Sequence, residues 1–321
     1  MKILVTGGAG YIGSKVALDL SNNGHDIFII DNLSNGSKKL IPKKAKFYLI
    51  DISDSINIEK IIKKNKIEVV FHFAAFISVE ESLKKPNKYL KNNFIKSKTF
   101  IDICTKNYIK YFIFSSTAAV YGKTNKKVKE NFLTNPKNPY GKSKLKTENY
   151  IKKLQTNTKF TILRYFNVAG ADKNLKTGQI GKHKQTHVIK KLTEAVIKKK
   201  TFEIFGKNYN TKDGSAVRDF IYLEDLSKIH IKILKFMMKK STPQNLTLNC
   251  GYGLGFSILD LAINAKKLYK DFEFKFSQKR KGDLPFVVAD NTKLKKILKW
   301  NIKIITIKKL IKSSVEWEKR T

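Results

Sequence analysis

Apolar and polar positions follow two spacings through the first half of the chain. Residues 2–6 form a nearly continuous apolar run, and in 12–23 apolar residues recur at helical spacing. Short continuous runs bounded by turn residues predict buried strands, and a period near 3.6 predicts amphipathic helices. Strands are therefore predicted at 2–6, 26–30, 46–50, 68–73, 111–115 and 160–165. Helices are predicted at 12–23, 56–64, 86–108 and 140–154. Strands and helices taking turns in this way call for parallel strands joined by right-handed crossovers. The predicted fold class is α/β, with a doubly wound parallel sheet.

Past residue 167 the pattern changes. Residues 170–186 are polar and loop-like, 188–199 read as a helix and 201–205 as a short strand. A strand at 218–222 and a helix at 223–239 follow, then strands at 246–250 and 272–276 and a terminal helix. We read a first unit over 1–167, to which 217–240 returns. A smaller mixed α/β C-terminal unit, 168–216 and 241–321, caps it and supplies substrate contacts.

Between the first strand and the first helix stands Gly7-Gly8-Ala9-Gly10-Tyr11-Ile12-Gly13. A strand, a tight glycine turn and a helix N-terminus aim backbone N–H groups and a positive dipole end at a pyrophosphate. Gly7 permits the turn, Gly10 close approach, and Gly13 packing of helix on strand. Asp31 ends the second strand, where a carboxylate accepts hydrogen bonds from ribose hydroxyls and repels a 2′-phosphate. The implied cofactor is NAD rather than NADP, on a Rossmann sheet. Asp51-Ile52, at the end of the third strand, falls where the adenine edge belongs.

Tyr140 and Lys144 are four residues apart, which puts them on one helix face. Asn138 can cap that helix and Pro139 fits its first turn. A phenol is a poor base at neutral pH, but a nearby ammonium and a cationic nicotinamide ring favour its ionised form. Lys144 is therefore expected to lower the Tyr140 pKa. In a lysine-rich chain the spacing also arises by chance, so the glycine loop matters to the reading. Thr117, with Ser115 and Ser116, closes the fifth strand; one of these hydroxyls can serve a substrate oxygen, and the others can cap the strand end.

Composition narrows the classes. The 321 residues, 41% hydrophobic, suffice for a large core, and no apolar run is long enough to span a bilayer. Two cysteines make no disulfide framework, and no Cys/His spacing suits zinc. A cytoplasmic, metal-independent protein is expected. Net charge is +39, yet only four of the 65 basic residues are arginines. Dispersed lysines with abundant Ile and Asn point to codon bias rather than to nucleic-acid binding, and neither a nucleic-acid nor a membrane partner is expected. Three of the four arginines, Arg164, Arg218 and Arg280, stand inside motif-like stretches. A guanidinium fork grips phosphate in a way that lysine does not. Arg218 and Arg280 are expected to clamp phosphate, and Arg164 either does so or braces a strand end.

These stretches together resemble the extended short-chain dehydrogenase/reductases, and within them the UDP-glucose (UDP-galactose) 4-epimerases. The resemblance runs through 6–13, Phe71-His72-Phe73-Ala74-Ala75, 114–117, 120–122, 138–144, 164–171, Val217-Arg218-Asp219-Phe220 and Gly282-Asp283. It implies that Tyr140 takes the proton of the sugar 4-hydroxyl while carbon 4 passes hydride to tightly bound NAD. The 4-keto sugar then turns about its pyrophosphate link and takes the hydride back on its other face. Lys144 would hold the nicotinamide ribose, and Thr117 stands at the catalytic Ser/Thr. The resemblance puts Tyr11, Ile12, Asn32, Phe73, Ala74, Ala75, Asn92 (or Asn93), Ser115 and Tyr165 beside the cofactor. It puts Asn167, His187, Val188, Phe205, Arg218, Arg280 and Asp283 around the UDP part.

Four positions depart from the family pattern. Glu80 replaces a usual Gly or Pro, and Lys190 a usual Pro. Ala118-Ala119 replaces the Asp-Glu pair of the related dehydratases, which disfavours elimination of water. Val287 stands where some narrow-specificity epimerases carry a bulky aromatic, which leaves UDP-N-acetylhexosamines open as substrates. Decarboxylase or reductase chemistry and a non-catalytic NAD-binding regulator remain rival readings. A homodimer is expected through helices in 86–108 and 140–154, although their apolar faces equally suit a core.

Overall fold

The computed structural model describes residues 1–180, 187–239, 241–280, 282–301 and 304–320. The polar stretch expected at 170–186 therefore lies outside the described residues from 181 onward. In chain order the strands are β1 (Lys2–Thr6), β2 (Asp26–Ile30), β3 (Lys46–Tyr48), β4 (Val69–His72), β5 (Tyr111–Thr117), β6 (Lys159–Tyr165), β7 (Asn167–Ala169), β8 (Phe202–Phe205), β9 (Val217–Tyr222), β10 (Asn245–Cys250), β11 (Gly255–Ser257), β12 (Phe274–Ser277) and β13 (Phe286–Val287). The helices are α1 (Tyr11–Asn22), α2 (Ser55–Asn65), α3 (Val79–Lys84), α4 (Pro86–Leu90), α5 (Ser97–Lys106), α6 (Pro139–Lys153), α7 (Val188–Lys198), α8 (Leu223–Met237), α9 (Ile258–Leu268), α10 (Thr292–Leu298) and α11 (Ile307–Glu318).

Seven parallel strands make the central sheet in the order β10-β6-β5-β4-β1-β2-β3. The doubly wound α/β fold expected from the alternation is what forms. Side chains alternate across it: Ile3, Val5, Ile29 and Phe71 pack with Leu226, Ile229 and Ile233 of α8, while Leu4, Phe28, Val70 and Phe112 pack with Ile58 of α2, Phe100 of α5 and Ile151 of α6. The order reverses at β1, whose neighbours are β4 and β2. A crevice at the carboxyl ends of the strands is expected at such a switch point.

β10, in the stretch assigned by sequence to the second unit, is an edge strand of this sheet, parallel to β6. A smaller sheet gathers β7, β11 and β13 around β9, and β8 pairs with β12. Ile189, Leu192, Phe220, Leu261 and Leu310 form their shared core.

Several boundaries differ from expectation. The single helix predicted over 86–108 is broken: α4 passes through a wider π-type turn, Lys91–Lys96, into α5. One extra residue in a turn barely disturbs apolar spacing, so periodicity does not register it. β5 runs two residues further than predicted, because Ser116 and Thr117 still pair with Arg164 and Tyr165. β3 stops at Tyr48, where its only partner β2 ends. Among the described residues, no helix is long and apolar enough to cross a membrane.

Candidate active site

The carboxyl ends of β1, β2, β4, β5 and β6 open into one cleft of about 1410 Å³. The cofactor wall expected from the sequence lines it: Gly7, Gly10, Tyr11, Ile12, Gly13, Asp31, Asn32, Asp51, Ile52, Phe73, Ala74, Ala75, Asn92, Ser115 and Tyr165. Tyr140, Lys144 and Thr117 line the same cleft, as do Asn167, His187, Val188, Phe205, Arg218, Arg280 and Asp283.

The glycine turn is tight for physical reasons. Gly7 has φ +69°, and a Cβ there would stand 2.6 Å from the Ala74 nitrogen. A Cβ on Gly13 would stand 2.3 Å from the Gly7 carbonyl oxygen. Gly10 is the N-cap of α1 and offers no side-chain cap, so the N–H groups of the first turn have no intrahelical partner. This cradle, with a helix dipole behind it, fits the pyrophosphate of a dinucleotide. The Asp31 carboxylate accepts from Ala9 N at 3.0 Å and Leu33 N at 2.8 Å, which fixes it beside the loop. Asp51 accepts from Asn32 at 2.8 Å and from Lys96 at 2.9 Å. Burial pushes its carboxyl up, but hydrogen bonds from Ser53, Lys96 and Asn32 outweigh that and bring it to about 2.

Two named residues act through contacts the sequence does not reveal. The Tyr11 hydroxyl donates to the Gly170 carbonyl at 2.6 Å, tying α1 to the loop after β7. Asn92 lines the cleft and donates to Asn93, while buried Asn93 clamps both backbone groups of Phe76 and reaches Ser143 on α6. Of the two, Asn92 lines the cleft and Asn93 braces the backbone of Phe76.

The helix carrying Tyr140 starts as expected. Asn138 accepts from Gly141 N at 2.8 Å and Pro139 occupies the first turn. Gly141 lets that turn seat against the 118–120 segment, since a Cβ would stand 2.5 Å from the Ala119 oxygen. Thr117 accepts from Ala119 N at 3.2 Å, and its hydroxyl acts on the Tyr140 phenol in the direction that lowers its pKa. Lys144 is 2% exposed, donates to the Ser115 carbonyl at 2.7 Å and lies 4.8 Å over the Phe114 ring. Burial lowers its pKa to about 7, opposed by Glu148 one turn on.

The expected lowering of the Tyr140 pKa by Lys144 does not appear in the protein alone. Burial pushes the phenol up to about 12, and the Thr117 hydroxyl only partly offsets it. The ammonium is engaged by a carbonyl instead.

Arg164 takes the second of its two open roles. It is 1% exposed and grips Glu148 in a fork, at 3.0 Å from Nε and 2.6 Å from Nη2, while Ser116 donates to the same carboxylate at 2.5 Å. It braces β6, α6 and β5 against each other. Glu148 was missed in sequence, although its position four residues past Lys144 was the available signal.

In the same cleft Arg218 lies 4.0 Å from Asp283, and Arg280 lies 3.5 Å over the Phe205 ring. His187 caps α7 and its Nδ1 meets Gln179 at 3.2 Å. Of the departures from the family pattern, Lys190 pairs with Glu318 of α11. Glu80 pairs with Lys84 at 3.3 Å on the exposed face of α3, a helix the sequence reading missed. Val287 lines the cleft beside Arg218, its register partner.

Residues 3–251 match the NAD dependent epimerase/dehydratase family. The chain belongs to that family. This family member is 40% identical to the UDP-glucose 4-epimerase of Lactobacillus helveticus, over 99% of this chain and 97% of the other. Its structure is similar to the UDP-glucose-4-epimerase of Stenotrophomonas maltophila, solved with bound NAD and formylated UDP-arabinopyranose: TM-score 0.94, 28% identity, covering 100% and 98% of the two chains. It is also similar to the UDP-Glc/GlcNAc 4-epimerase of Campylobacter jejuni: TM-score 0.85, 36% identity, covering 100% and 99%.

Proposed function

We propose that the protein interconverts UDP-glucose and UDP-galactose with NAD as resident cofactor. The observation that carries this is the meeting of three groups in one cleft: the glycine cradle, the Thr117–Tyr140 hydroxyl pair and the arginine wall. The names of the relatives and the NAD bound in a similar structure support it. NAD, when bound, supplies the hydride acceptor and donor at sugar carbon 4.

The chain's own residues do the rest. Gly7, Gly10 and Gly13 admit the pyrophosphate to the α1 N-terminus, and Asp31 holds the adenosine ribose. Tyr140 takes the 4-hydroxyl proton, with the Thr117 hydroxyl favouring its ionisation. Buried Lys144 holds the nicotinamide ribose. Arg218 and Arg280 grip the diphosphate, with Asn167, His187, Val188, Phe205 and Asp283 shaping the uridine side. Incubating the purified protein with UDP-galactose and resolving the products tests the reading; absence of UDP-glucose rejects it.

One observation favours a wider substrate range. Val287 offers a small side chain in the cleft, which leaves space beside the sugar for an N-acetyl group. The same assay with UDP-N-acetylglucosamine decides this reading. We further propose a homodimer through α5 and α6, which light scattering reads directly as twice the chain mass of 36.8 kDa. Buried free Cys104 and Cys250 fit a reducing compartment, and we place the enzyme in the cytoplasm; fractionation of the source cells checks it.

A further inference from the structure

The tyrosine assigned above as the base touches a second tyrosine that the mechanism does not use. Tyr89 of α4 is fully buried, and its ring meets that of Tyr140 edge to face, with centroids 6.4 Å apart and planes at 81°. Such T-shaped pairs are favourable and directional, because a positive ring edge meets a negative ring face.

The geometry of α3 and α4 explains how Tyr89 is fixed. Ser78 caps α3 by accepting from Glu81 N at 3.1 Å, and Pro86 starts α4 directly after Lys85. This sharp elbow brings Glu81 over Tyr89, eight residues on. The Tyr89 hydroxyl donates to Glu81 Oε2 at 2.9 Å, and Lys88 donates to Oε1 at 2.7 Å. Lys88 in turn lies 4.2 Å over Phe76, whose ring tilts against Tyr89 at 5.9 Å. Tyr89 is thus held at its hydroxyl and on its flank, leaving an edge contact to Tyr140. Burial and the bond to Glu81 both raise its pKa, so it stays a neutral donor.

We propose that Tyr89, anchored by Glu81, is a positioning residue that sets the ring orientation of Tyr140. Tyr89 meets the Tyr140 ring edge to face, while the Thr117 hydroxyl acts at its phenol end, so the ring is influenced at two places. Alignment of this kind affects the chemical step more than ground-state binding, since reacting atoms must meet at about 3–3.5 Å. The inference rests on the reading of Tyr140 as base.

The test compares wild type with Tyr89→Leu, Tyr89→Phe and Glu81→Gln, all carrying tyrosine labelled with carbon-13 at Cζ. Tyr89→Leu is expected to lower kcat about tenfold or more, with the UDP-sugar KM within about twofold and NAD content unchanged. Tyr89→Phe keeps the ring but loses the bond to Glu81 and is expected to recover part of the loss, whereas Glu81→Gln, which keeps an acceptor, is expected to stay near wild type. In Tyr89→Leu, the resonance missing from Tyr140→Phe is expected to move toward the shift of an exposed tyrosine. Wild-type kcat in Tyr89→Leu, or a loss confined to KM or NAD content, overturns the proposal. A wild-type protein inert toward UDP-galactose sinks the epimerase reading instead. The Tyr140 resonance still decides the brace, since an unmoved signal rejects it.

Discussion

The Thr117 hydroxyl favours ionisation of Tyr140, and the direction of that effect makes the pair testable. Burial holds the phenol at about 12, and the Thr117 hydroxyl pulls it down. Thr117→Val removes that pull, so ionisation moves to higher pH and the rising limb of the pH–kcat profile moves with it. One pKa unit corresponds to about tenfold in phenolate at neutral pH, so kcat at pH 7 is expected to fall by about tenfold for each unit by which the limb moves. Tyr140→Phe removes the proposed base and is expected to cost about 10²- to 10⁴-fold in kcat while NAD stays bound. A Thr117→Val profile that overlies wild type would reject that influence. At this scale much was legible in sequence. The glycine loop announces itself because its spacing is local, and Tyr140 and Lys144 because i, i+4 is a helix property. Illegible were the ends of long side chains: Lys96 on Asp51, Arg164 on Glu148, and Tyr89 against Tyr140. Each joins residues that only the folded chain brings together.

Elements around the site are braced by buried charge. Glu148 of α6 joins Ser116 of β5 and Arg164 of β6 directly behind Lys144. Removing one member of such a pair leaves an uncompensated buried charge, which costs about 3–5 kcal/mol. Arg164→Met is therefore expected to lose that much in urea unfolding, and Arg164→Met with Glu148→Leu to regain most of it. A harmless single substitution would show that the fork contributes nothing. Strand and helix alternation was readable for β1 to β6 because each run is long enough to show its period. The three-residue β7 and β11, the two-residue β13 and the six-residue α3 are too short to carry one. α3 mattered most among these, since it brings Glu81 to the site.

Across the whole molecule, the net charge is expected to act on the approach of substrate rather than on its chemistry. A chain of +39 attracts a UDP-sugar, which carries two negative charges, and the field is screened beyond about 10 Å at 0.1 M salt. Raising salt from about 20 to 300 mM is expected to lower kcat/KM about threefold or more, with kcat nearly constant. A salt-independent kcat/KM would confine the charge to a bystander role. The parallel order of the sheet could be inferred from sequence, but not its last member, because β10 reads as a strand without naming its neighbour. That neighbour is β6, matched residue for residue from Phe160 to Tyr165. An expression fragment ending at residue 167 would bare this flank of β6, leaving open hydrogen-bonding groups that recruit other chains. Size-exclusion chromatography should find such a truncation in the void volume, the result expected if residues 1–167 cannot be cut out and reused as an independent building block.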